Sequence, residues 1–524
     1  MTISFEDVPY EGTSIPTSHP ERLAIDAWLR GLRAPDPTRA RILELGCAEG
    51  ANIVPIAYHY EDAEVVGVDF SPRHIEIAEQ AKHELGLDNL RVACASITDL
   101  SDAVEGPFDY ILCHGVLSWV SEEVQDAIFA ALRDYLAPNG IGYVSYNVVP
   151  GWKMRGLVRE VLMARTRDVE DPREKLAVAR STLQLLATTM PHEMPYSRYM
   201  AEEARSTLEH RDPYIAHEYL SEHNRPYLYG DIVRLAGRFG LRFFSEQSPV
   251  GHPAVEARIR ETVGAITDDP IEGEELTDVL HGRAFRASTF VREDLELADP
   301  DECRRELLEE AGFVTELRPL GKRPSLAEGE TEEFSDAADV RVAVKHPVLK
   351  AALLVLAQTY PRAMLFETLE AQAVALLQLR RVFKIERVLS DGERESLRED
   401  LLRLVDLGHL RLKLTLPSMV TEAGPTPRVS TLTRYEARQF RSISTAFHEP
   451  LSLDDASSYL ISLMDGSLDH DELARALVAT LEEHDMVLRD ESGEPLGPEA
   501  AQKAMGTFVQ HNLRMLEAQG LLER

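Results

Sequence analysis

Polar residues whose types and spacing could bind a ligand follow two apolar runs near the start of the chain. Residues 41–52 read Arg-Ile-Leu-Glu-Leu-Gly-Cys-Ala-Glu-Gly-Ala-Asn, and Asp69 closes a second apolar run. Gly46 and Gly50 allow a sharp turn and let a ligand approach the backbone closely. Glu44 lies at the mouth of this turn, where its carboxylate would repel phosphate and suit a cationic amino-acid group, while Asp69 could accept hydrogen bonds from ribose hydroxyls. These residues therefore indicate a ligand that has both a ribose and a cationic amino-acid group.

A dinucleotide site is the main alternative for the same turn. Its fingerprint needs glycines in the pattern G-x-G-x-x-G, but Ala48 and Ala51 stand where the second and third glycines would be. The pyrophosphate interpretation is therefore disfavoured. Taken alone, these residues also fit any doubly wound domain whose first turn contains glycine.

The elements that would position these residues alternate between strands and helices. Strand-like segments are predicted at 41–45, 65–69, 90–94, 108–113 and 141–146. Helices are predicted to begin at Ser71-Pro72 and to span 122–136, and this alternation implies a parallel sheet with right-handed crossovers. Residues 241–245 and 285–292 can supply two last strands. We therefore expect an α/β fold, a doubly wound, Rossmann-like sheet of seven strands.

A series of motifs along this sheet resembles a class I S-adenosylmethionine-dependent methyltransferase. The motifs are Ile-Leu-Glu-Leu-Gly-Cys-Ala-Glu-Gly, Val-Gly-Val-Asp-Phe-Ser-Pro, Phe-Asp-Tyr-Ile-Leu-Cys-His-Gly-Val-Leu-Ser-Trp-Val and Leu-Ala-Pro-Asn-Gly. Segments similar to bacterial methyltransferases that carry a regulatory domain follow at 114–120, 145–152, 217–220, 224–226 and 283–286. Within that group the chain resembles the rickettsial protein lysine methyltransferases, which modify outer-membrane protein. The resemblance is close to about residue 290 and looser beyond it.

The resemblance implies S-adenosylmethionine as the cofactor, S-adenosylhomocysteine as the product, and a set of cofactor-binding positions. These positions are Glu44, Gly46, Cys47, Ala48, Gly50, Asn52, Asp69, Phe70, Ser96, Ile97 and His114, with Tyr10 and His19 near the N-terminus folding over the methionine end. One position departs from the family. Ser96 stands where the family commonly has an acidic residue that accepts from the adenine amino group; a hydroxyl can still accept there.

Candidate catalytic residues follow the fourth and fifth strands, which flank the ligand site of this fold. Methyl transfer from a sulfonium needs no metal and no covalent enzyme intermediate, so the protein must aim a deprotonated nucleophile and exclude water. His114, Trp119, Tyr146 and Asn147 have suitable side chains at these strand ends. The alternatives are a structural role at the strand end for Tyr146 and Asn147, support of the turn for His114, and core packing for Trp119.

Composition and charge limit the function classes. The formal net charge of −33 disfavours nucleic acid as a partner, because binding to a phosphate backbone depends on lysines and arginines. The same charge would attract a basic polypeptide, or it could simply provide solubility in a salt-rich cytoplasm. The four cysteines have no paired spacing, so we expect buried thiols and no metal site. No apolar run near 18 residues and no leader is apparent, which favours a cytoplasmic enzyme without membrane insertion.

The chain is long enough for several domains. The expected division is 1–150 and 226–292 for the methyltransferase domain, 151–225 for a helical insertion that acts as a lid and a dimer contact, 293–345 for a connector with short strands, and 346–416 and 417–524 for two winged-helix-like units. An acidic surface in the last unit favours protein binding or structural packing over DNA.

The function predicted from the sequence is N-methylation of lysine side chains in a protein or peptide by a cytoplasmic enzyme, with a homodimer as the expected assembly. Two alternatives stay open. The acceptor could be a small natural product or a ribosomal peptide side chain, or the chain could be a non-catalytic interaction protein that only senses S-adenosylmethionine.

Overall fold

The structure is a computed structural model that describes residue 8 and residues 12–191, 193–248, 253–337, 339–383, 388–416, 419–420, 422–489 and 494–523. Up to residue 292 the helices are α1 (Pro20–Leu29), α2 (Ile53–His59), α3 (Pro72–Leu85), α4 (Glu122–Tyr135), α5 (Val149–Arg165), α6 (Pro172–Thr189), α7 (Pro195–Glu209), α8 (Asp212–Tyr214), α9 (Tyr229–Arg238), α10 (Pro253–Gly264) and α11 (Pro270–His281). A π-helical turn, Ile215–Tyr219, follows α8. The strands are β1 (Arg41–Leu45), β2 (Glu64–Asp69), β3 (Leu90–Cys94), β4 (Phe108–Cys113), β5 (Leu136–Asn147), β6 (Leu241–Glu246) and β7 (Phe285–Arg292).

The remaining elements lie beyond residue 299. The helices are α12 (Pro300–Glu310), α13 (Pro347–Thr359), α14 (Phe366–Leu379), α15 (Asp391–Asp406), α16 (Thr431–Gln439), α17 (Asp455–Ser462), α18 (His470–Glu483) and α19 (Pro498–Ala518). The strands are β8 (Gly312–Val314), β9 (Arg318–Pro319), β10 (Glu332–Ser335), β11 (Arg341–Val344), β12 (Met364–Leu365), β13 (Arg411–Lys413), β14 (Arg428–Val429), β15 (Ser442–Ser444), β16 (Pro450–Ser452) and β17 (Leu522–Glu523).

The chain divides into two compact units. The first comprises residues 1–12 and 39–296, and the second comprises 13–38 and 297–524. The helix α1 therefore belongs to the second unit, whereas the sequence-based division placed it in the methyltransferase domain. The carboxylate of Glu21 explains this assignment, because it accepts hydrogen bonds from the backbone N–H groups of Leu414 and Thr415 and forms a buried ion pair with Lys413.

A seven-stranded sheet in the order β3-β2-β1-β4-β5-β7-β6 forms the centre of the first unit. The first five strands are parallel, and β7 is antiparallel to both β5 and β6. The predicted doubly wound, Rossmann-like sheet of seven strands is thus confirmed, including the two last strands. The pairing places Glu44 beside Gly67 and Asp69 beside Cys94, so the polar residues that end the strands lie at one edge of the sheet.

Burial on both faces explains why the strands read as nearly continuous apolar runs. Leu43, Val66, Ile111 and Val144 come from four adjacent strands and are completely buried in one core. After β2 the chain enters α3 through Ser71, whose hydroxyl accepts from the backbone N–H of His74 as a helix cap. Local capping and strand burial therefore agree on where β2 ends and α3 begins.

The helices between β5 and β6 have a core of their own. Val158 from α5, Ala179 from α6, Ala204 from α7 and Tyr219 from the π-helical turn are buried together. The helical insertion was predicted over 151–225, and the helices α5 to α8 span 149–214.

The second unit contains two hydrophobic cores. One joins α12 to α15 with β8 to β13, and the other joins α16 to α19 with β14 to β17. Phe313 and Phe334 lie in the first of these cores, so much of the segment 293–345, which was expected to be a connector, is part of a folded unit. No helix in the described ranges is long and apolar enough to cross a bilayer.

Candidate functional site

The turn after β1 has the backbone conformation expected of a tight ligand-binding loop. Gly46, Ala48 and Gly50 have φ angles of +76°, +45° and +86°. A Cβ atom on Gly46 would lie 2.7 Å from Cγ2 of Val116, so this position is closed to larger residues. The backbone N–H groups of Gly46 and Cys47 both donate to the carbonyl of Val68, which fixes the turn against the end of β2.

Glu44 is the buried carboxylate of this turn. Its side chain is 3% exposed; Oε1 accepts a hydrogen bond of 2.7 Å from Nδ2 of Asn52, and Oε2 has no partner. Burial, with a smaller contribution from the nearby carboxylate of Asp69, raises the pKa of Glu44 to about 7 against the lowering effect of the Asn52 hydrogen bond. A buried carboxylate oxygen without a partner suits a ligand that brings a cationic donor.

Asp69 ends β2 and is held from two sides. Its Oδ2 accepts from the backbone N–H of Ala48 at 3.0 Å, and its Oδ1 accepts from the backbone N–H of Ser71 at 2.9 Å. Nδ1 of His74 lies 3.4 Å from Oδ1, and the hydrogen bond to Asp69 raises the pKa of His74. These contacts fix the direction of the carboxylate and leave lone pairs that can accept from ribose hydroxyls.

An apolar surface lies next to Asp69 at the ends of β2 and β3. The side chain of Phe70 is 67% exposed, which is unusual for a phenylalanine. Ile97 packs against the core of the first unit, and the exposed hydroxyl of Ser96 lies 2.8 Å from that of Thr98. The hydroxyl of Ser96 therefore already has a local partner, while the ring of Phe70 offers a free face for stacking.

His114 follows β4 as a neutral side chain. Its Nδ1 lies 2.9 Å from the hydroxyl of Tyr143, and burial lowers its pKa to about 4. The next residue, Gly115, has a φ of +67° and donates its backbone N–H to Oγ of Ser145. The surroundings of His114 fit the support of this turn, and a ring that stays neutral near pH 7 provides no positive charge.

Tyr146 and Asn147 differ from the expectation that both line the site. Successive side chains of a strand point to opposite faces, so two neighbours on β5 do not share a pocket. Tyr146 is 1% exposed, lies in the core, and its hydroxyl is 2.9 Å from Oγ of Ser288. Asn147 is 3% exposed, its backbone N–H donates to Oγ of Ser118, and its Nδ2 has no partner. Of the pair, Asn147 is the one with an unsatisfied group.

Trp119 connects the end of β4 to the insertion. Its ring centre lies 5.5 Å from that of Trp152 in an edge-to-face arrangement. Trp152 in turn lies 6.4 Å from the ring of Tyr219, and the guanidinium of Arg155 stands 5.6 Å from the centre of the Trp152 ring. Trp119 thus begins an aromatic layer that extends into α5 and the π-helical turn.

Two carboxylates of the insertion interact with Arg155, whose guanidinium lies over the ring of Trp152. Glu203 Oε1 accepts from the hydroxyl of Tyr219 at 2.5 Å and lies 3.8 Å from Nε of Arg155. Glu218 has no hydrogen-bond or ion-pair partner within the described part of the chain, and burial raises its pKa to about 7 against the lowering effect of Arg155. Neither carboxylate was among the predicted site residues. Glu218 belongs to the segment His217-Glu218-Tyr219-Leu220, which the sequence analysis singled out, whereas Glu203 lies outside the segments singled out there.

Three further predictions can be placed. Tyr10 lies outside the described residues. His19 belongs to the second unit, where its ring centre is 4.6 Å from that of His448, and its contact with the cofactor stays a prediction. Cys94, expected to be buried, is exposed, whereas Cys47, Cys113 and Cys303 are buried. Among the described residues, no cluster of histidine, cysteine and acidic side chains is suited to hold a metal ion.

Three segments of the chain match described protein families. Residues 42–140 match a methyltransferase domain, residues 211–292 a predicted methyltransferase regulatory domain, and residues 426–521 the C-terminal winged helix domain of PKMT. The first segment contains the loop residues described above, and the second contains the π-helical turn. The prediction of a methyltransferase that uses S-adenosylmethionine is confirmed.

Relatives from Rickettsia extend the similarity over nearly the whole chain. The protein RP789 of Rickettsia prowazekii is 26% identical over 497 residues, which covers 93% of this chain and 88% of the relative. RP028 of the same organism is 37% identical over 223 residues, covering 42% of this chain and 89% of the relative. The structure of PKMT2 from Rickettsia typhi has 25% identity and a TM-score of 0.80 over 98% of this chain and 100% of that one, and its complex with AdoHcy has 24% identity and a TM-score of 0.81 over the same shares.

The loop geometry, the seven-stranded sheet and these matches agree. The chain belongs to the family of class I methyltransferases that combine a methyltransferase regulatory domain with a PKMT winged-helix domain.

Proposed function

We propose that the enzyme transfers a methyl group from S-adenosylmethionine to the side-chain amines of lysines in a protein or peptide. The observation that carries this proposal is the likeness to PKMT2 over 98% of the chain, which includes the PKMT winged-helix segment as well as the catalytic sheet. The formal charge of −33 adds an electrostatic reason, because a negative protein attracts basic, lysine-bearing partners.

The residues of the first unit fit the proposed cofactor. Glu44 has a buried oxygen without a partner where a cationic amino group would be stabilised, and Asp69 is fixed at the strand end as an acceptor for hydroxyls. Phe70 presents an exposed ring for a base, with Ser96 and Ile97 on the adjacent strand end. We assign the turn after β1 to the same site. It comprises Gly46, Cys47, Ala48 and Gly50, and Asn52 follows it. When bound, the cofactor supplies an electrophilic methyl group on a sulfonium.

The acceptor side must bind an amine that has lost its proton, and must keep water away from it. We assign the wall of this side to Trp119, which borders the strand ends and packs on Trp152. Nδ2 of Asn147 is a buried donor without a partner and can orient a substrate oxygen. His114 supports the turn after β4 as a neutral ring. Tyr146 supports β5 from the face opposite to that of Asn147.

A methyl-transfer assay with labelled cofactor tests the function. The purified protein is incubated with S-adenosylmethionine labelled in the methyl group and with a cell lysate, and acid-precipitated protein is hydrolysed to amino acids. We expect label in methylated lysine. Gly46→Val serves as the inactive control. Even a Cβ atom at position 46 would lie 2.7 Å from Cγ2 of Val116, so the valine side chain does not fit in this turn. Label in small molecules would instead support the natural-product alternative, and cofactor binding without any transfer would support the sensor.

Cytoplasmic location and homodimerisation stay predictions, as does protein binding by the winged-helix segment. Light scattering on purified protein tests dimerisation. A mass of about 59 kDa, the mass of one chain at 58.7 kDa, would contradict it.

A further inference from the structure

Two amide side chains near the end of β5 each have a buried polar atom without a hydrogen-bond partner. Nδ2 of Asn147 and Oδ1 of Asn224 are inaccessible to solvent and bond to no group in the described part of the chain. One of these atoms is a donor and the other is an acceptor. Neither residue belongs to the set assigned to the cofactor. We call these two side chains the amide pair.

Backbone hydrogen bonds around Ser118 hold the two members of the amide pair near each other. The N–H of Asn147 donates to Oγ of Ser118 at 2.9 Å, and the N–H of Arg225, which follows Asn224, donates to the carbonyl of Ser118 at 2.8 Å. Further along, the N–H of Tyr227 donates to the carbonyl of Asn147 at 2.9 Å. The chain from Asn224 to Tyr227 therefore runs along Ser118 and the end of β5.

Both members of the amide pair lie on the side of the sheet that is opposite to Tyr146. Tyr227 packs edge to face on Tyr146 at 6.1 Å, and the guanidinium of Arg225 lies 5.1 Å from the centre of the Tyr227 ring. Because the alternate residues Arg225 and Tyr227 donate to the neighbouring chain, the segment is extended, and its successive side chains point to opposite sides. Asn224 therefore points to the side opposite to Arg225 and Tyr227, as Asn147 does relative to Tyr146 on β5.

The same side of the sheet carries two rings at the strand ends. Asn147 is opposite Phe285 of β7 in the antiparallel pairing, and opposed residues of such a pair share a face. The side chain of Phe285 is 37% exposed, and its ring lies 5.7 Å from that of His114, which follows β4. The amide pair and these rings therefore border the edge of the sheet at which doubly wound domains bind their ligands.

We propose that the amide pair binds a peptide group of the polypeptide acceptor, with Nδ2 of Asn147 donating to its carbonyl and Oδ1 of Asn224 accepting from its N–H. This inference rests on the proposed function and deepens it, because it names what the enzyme recognises in the acceptor besides the amine. A peptide group offers one acceptor and one donor, which match the two unsatisfied atoms. Buried polar atoms without partners are costly, so a ligand that satisfies both gains affinity.

The amide pair is uncharged, which suits an amine that has to lose its proton. A carboxylate beside the acceptor would stabilise the ammonium form and raise the pKa of the amine, whereas neutral amides form no ion pair with it. The proton can therefore pass to bulk water before the nitrogen attacks the methyl group. The nitrogen lone pair also stays free, because both members of the amide pair bond to the peptide group. The exposed ring of Phe285 is suited to contact the methylene chain of the lysine.

Binding without turnover tests the amide pair. With S-adenosylhomocysteine at saturation, Nα-acetyl-lysine methylamide is compared with n-butylamine, which is the lysine side chain without its peptide groups. Binding is followed by tryptophan fluorescence in a Trp28→Phe background, where the remaining Trp119 and Trp152 both lie in the first unit and Trp119 follows Ser118. The measured preference is the dissociation constant of n-butylamine divided by that of the amide probe. We expect a preference of about tenfold or more in the parent, because two hydrogen bonds contribute to it.

Removing either polar atom should lower this preference. Asn147→Leu and Asn224→Leu keep the approximate side-chain volume, and each should reduce the preference by about threefold to tenfold, the factor for one hydrogen bond. The matched control is Asn139→Leu, the same change at an exposed position near the other end of β5, which should leave the preference unchanged. Cofactor affinity, measured by calorimetry, should stay at the parental value in all variants and so verifies the fold.

Aspartate at the same two positions separates the donor from the acceptor. Asn224→Asp keeps an oxygen that accepts and should retain the preference, whereas Asn147→Asp loses the donor and should lower it. Both changes add one negative charge, whose attraction for the ammonium groups of the two probes cancels in the ratio. Equal binding of the two probes by the parent, a parental preference in either leucine variant, or the reverse pattern in the aspartate variants would refute the assignment.

The lysate assay separates this inference from the function on which it rests. If Asn147→Leu and Asn224→Leu form methylated lysine at the parental rate, the amide pair is rejected and lysine methylation stands. If label enters only small molecules while the probe preference depends on both residues, the peptide-group site stands and a lysine-bearing protein is rejected as the acceptor.

Discussion

Replacing Glu44 by glutamine tests two quantities, the affinity for the cofactor and the free energy of unfolding that the buried charge of Glu44 removes. Glu44→Gln preserves the shape of the side chain and the acceptor for Asn52, whose Nδ2 donates to Oε1 at 2.7 Å. It removes only the charge and the ability to bind a proton. The structure therefore predicts opposite effects of this one change, on stability and on cofactor binding.

The magnitude follows from the pKa of Glu44, which burial raises from its ordinary value of 4.5 to about 7. The native state then holds the proton more tightly than the unfolded chain, so ionisation removes native stability as the pH rises from about 4.5 to about 7, and the loss is complete above that. Each pKa unit is worth about 1.4 kcal/mol, which gives a cost on the order of 3–4 kcal/mol at pH 8. Glu44→Gln should regain this free energy of unfolding at pH 8 and almost none at pH 4.

Unfolding in urea, followed by tryptophan fluorescence, measures this difference. The measurement uses a Trp28→Phe background, in which the two remaining tryptophans, Trp119 and Trp152, both lie in the first unit. The control is Glu61→Gln, which removes a charge from an exposed position of the same unit. We expect the gain for Glu44→Gln to increase between pH 5 and pH 8 and the control to show no such trend. Equal stability of parent and Glu44→Gln at pH 8 would refute the argument that a buried carboxylate is ionised there at a cost.

Cofactor binding should change in the opposite direction. An ionised Glu44 attracts a cationic amino group, so its loss should weaken binding of S-adenosylmethionine by about 1–3 kcal/mol, or roughly tenfold to a hundredfold. In the parent, affinity should rise about tenfold from pH 5.5 to pH 7 as Glu44 ionises, and calorimetry in two buffers should detect the released proton. A glutamine variant with parental affinity would exclude Glu44 from the amino-group contact.

Three other substitutions have expected outcomes. Asp69→Ala removes the strand-end acceptor and should weaken cofactor binding by about 1–3 kcal/mol in calorimetry; unchanged affinity in a folded variant would reject the ribose contact. Asp278→Asn breaks the pairing with Arg286, which is 0% exposed and bonded to both carboxylate oxygens, and should lower the free energy of unfolding by about 2–4 kcal/mol in urea titration, less if other carboxylates compensate. Tyr146→Phe loses the contact with Ser288 and should cost about 1 kcal/mol of stability, with a methylation rate within a few-fold of the parent; a tenfold slower rate would return Tyr146 to the acceptor site.

The turn after β1 and the carboxylates at the strand ends could be located from the sequence because their determinants are local. Apolar strands buried on both faces, glycines at Gly46 and Gly50, and carboxylates at Glu44 and Asp69 all lie within 30 residues of one another, and parallel pairing brings them to one edge. The same periodicity also bears on Tyr146, whose place at the acceptor site stays untested. Alternation along β5 already separates it from Asn147, which the motif comparison alone did not take into account.

The aromatic layer at the end of β4 could not be predicted in the same way, because its residues are distant in the sequence. Trp152 and Tyr219 reach Trp119 only after α5 to α8 have folded back, and no spacing rule connects positions about 100 residues apart. The helix α1 illustrates the converse. It lies next to β1 in the sequence, but the ion pair of Glu21 with Lys413 joins it to the second unit.

Glu44 gives the first unit a carboxylate whose pKa burial raises to about 7, with one oxygen that has no partner. Ionising it is costly in the free protein, and a cationic amino group on the cofactor would offset that cost. Binding of such a cation should therefore release protons below pH 7, and Glu44 should add one unit to the slope of log kcat/KM against pH between about pH 5 and pH 6.5. Glu44→Gln should lose that unit of slope relative to the parent under the same conditions. If the variant retained the parental slope, Glu44 would be an ordinary buried acid, and recognition of the amino group would have to be assigned to other residues.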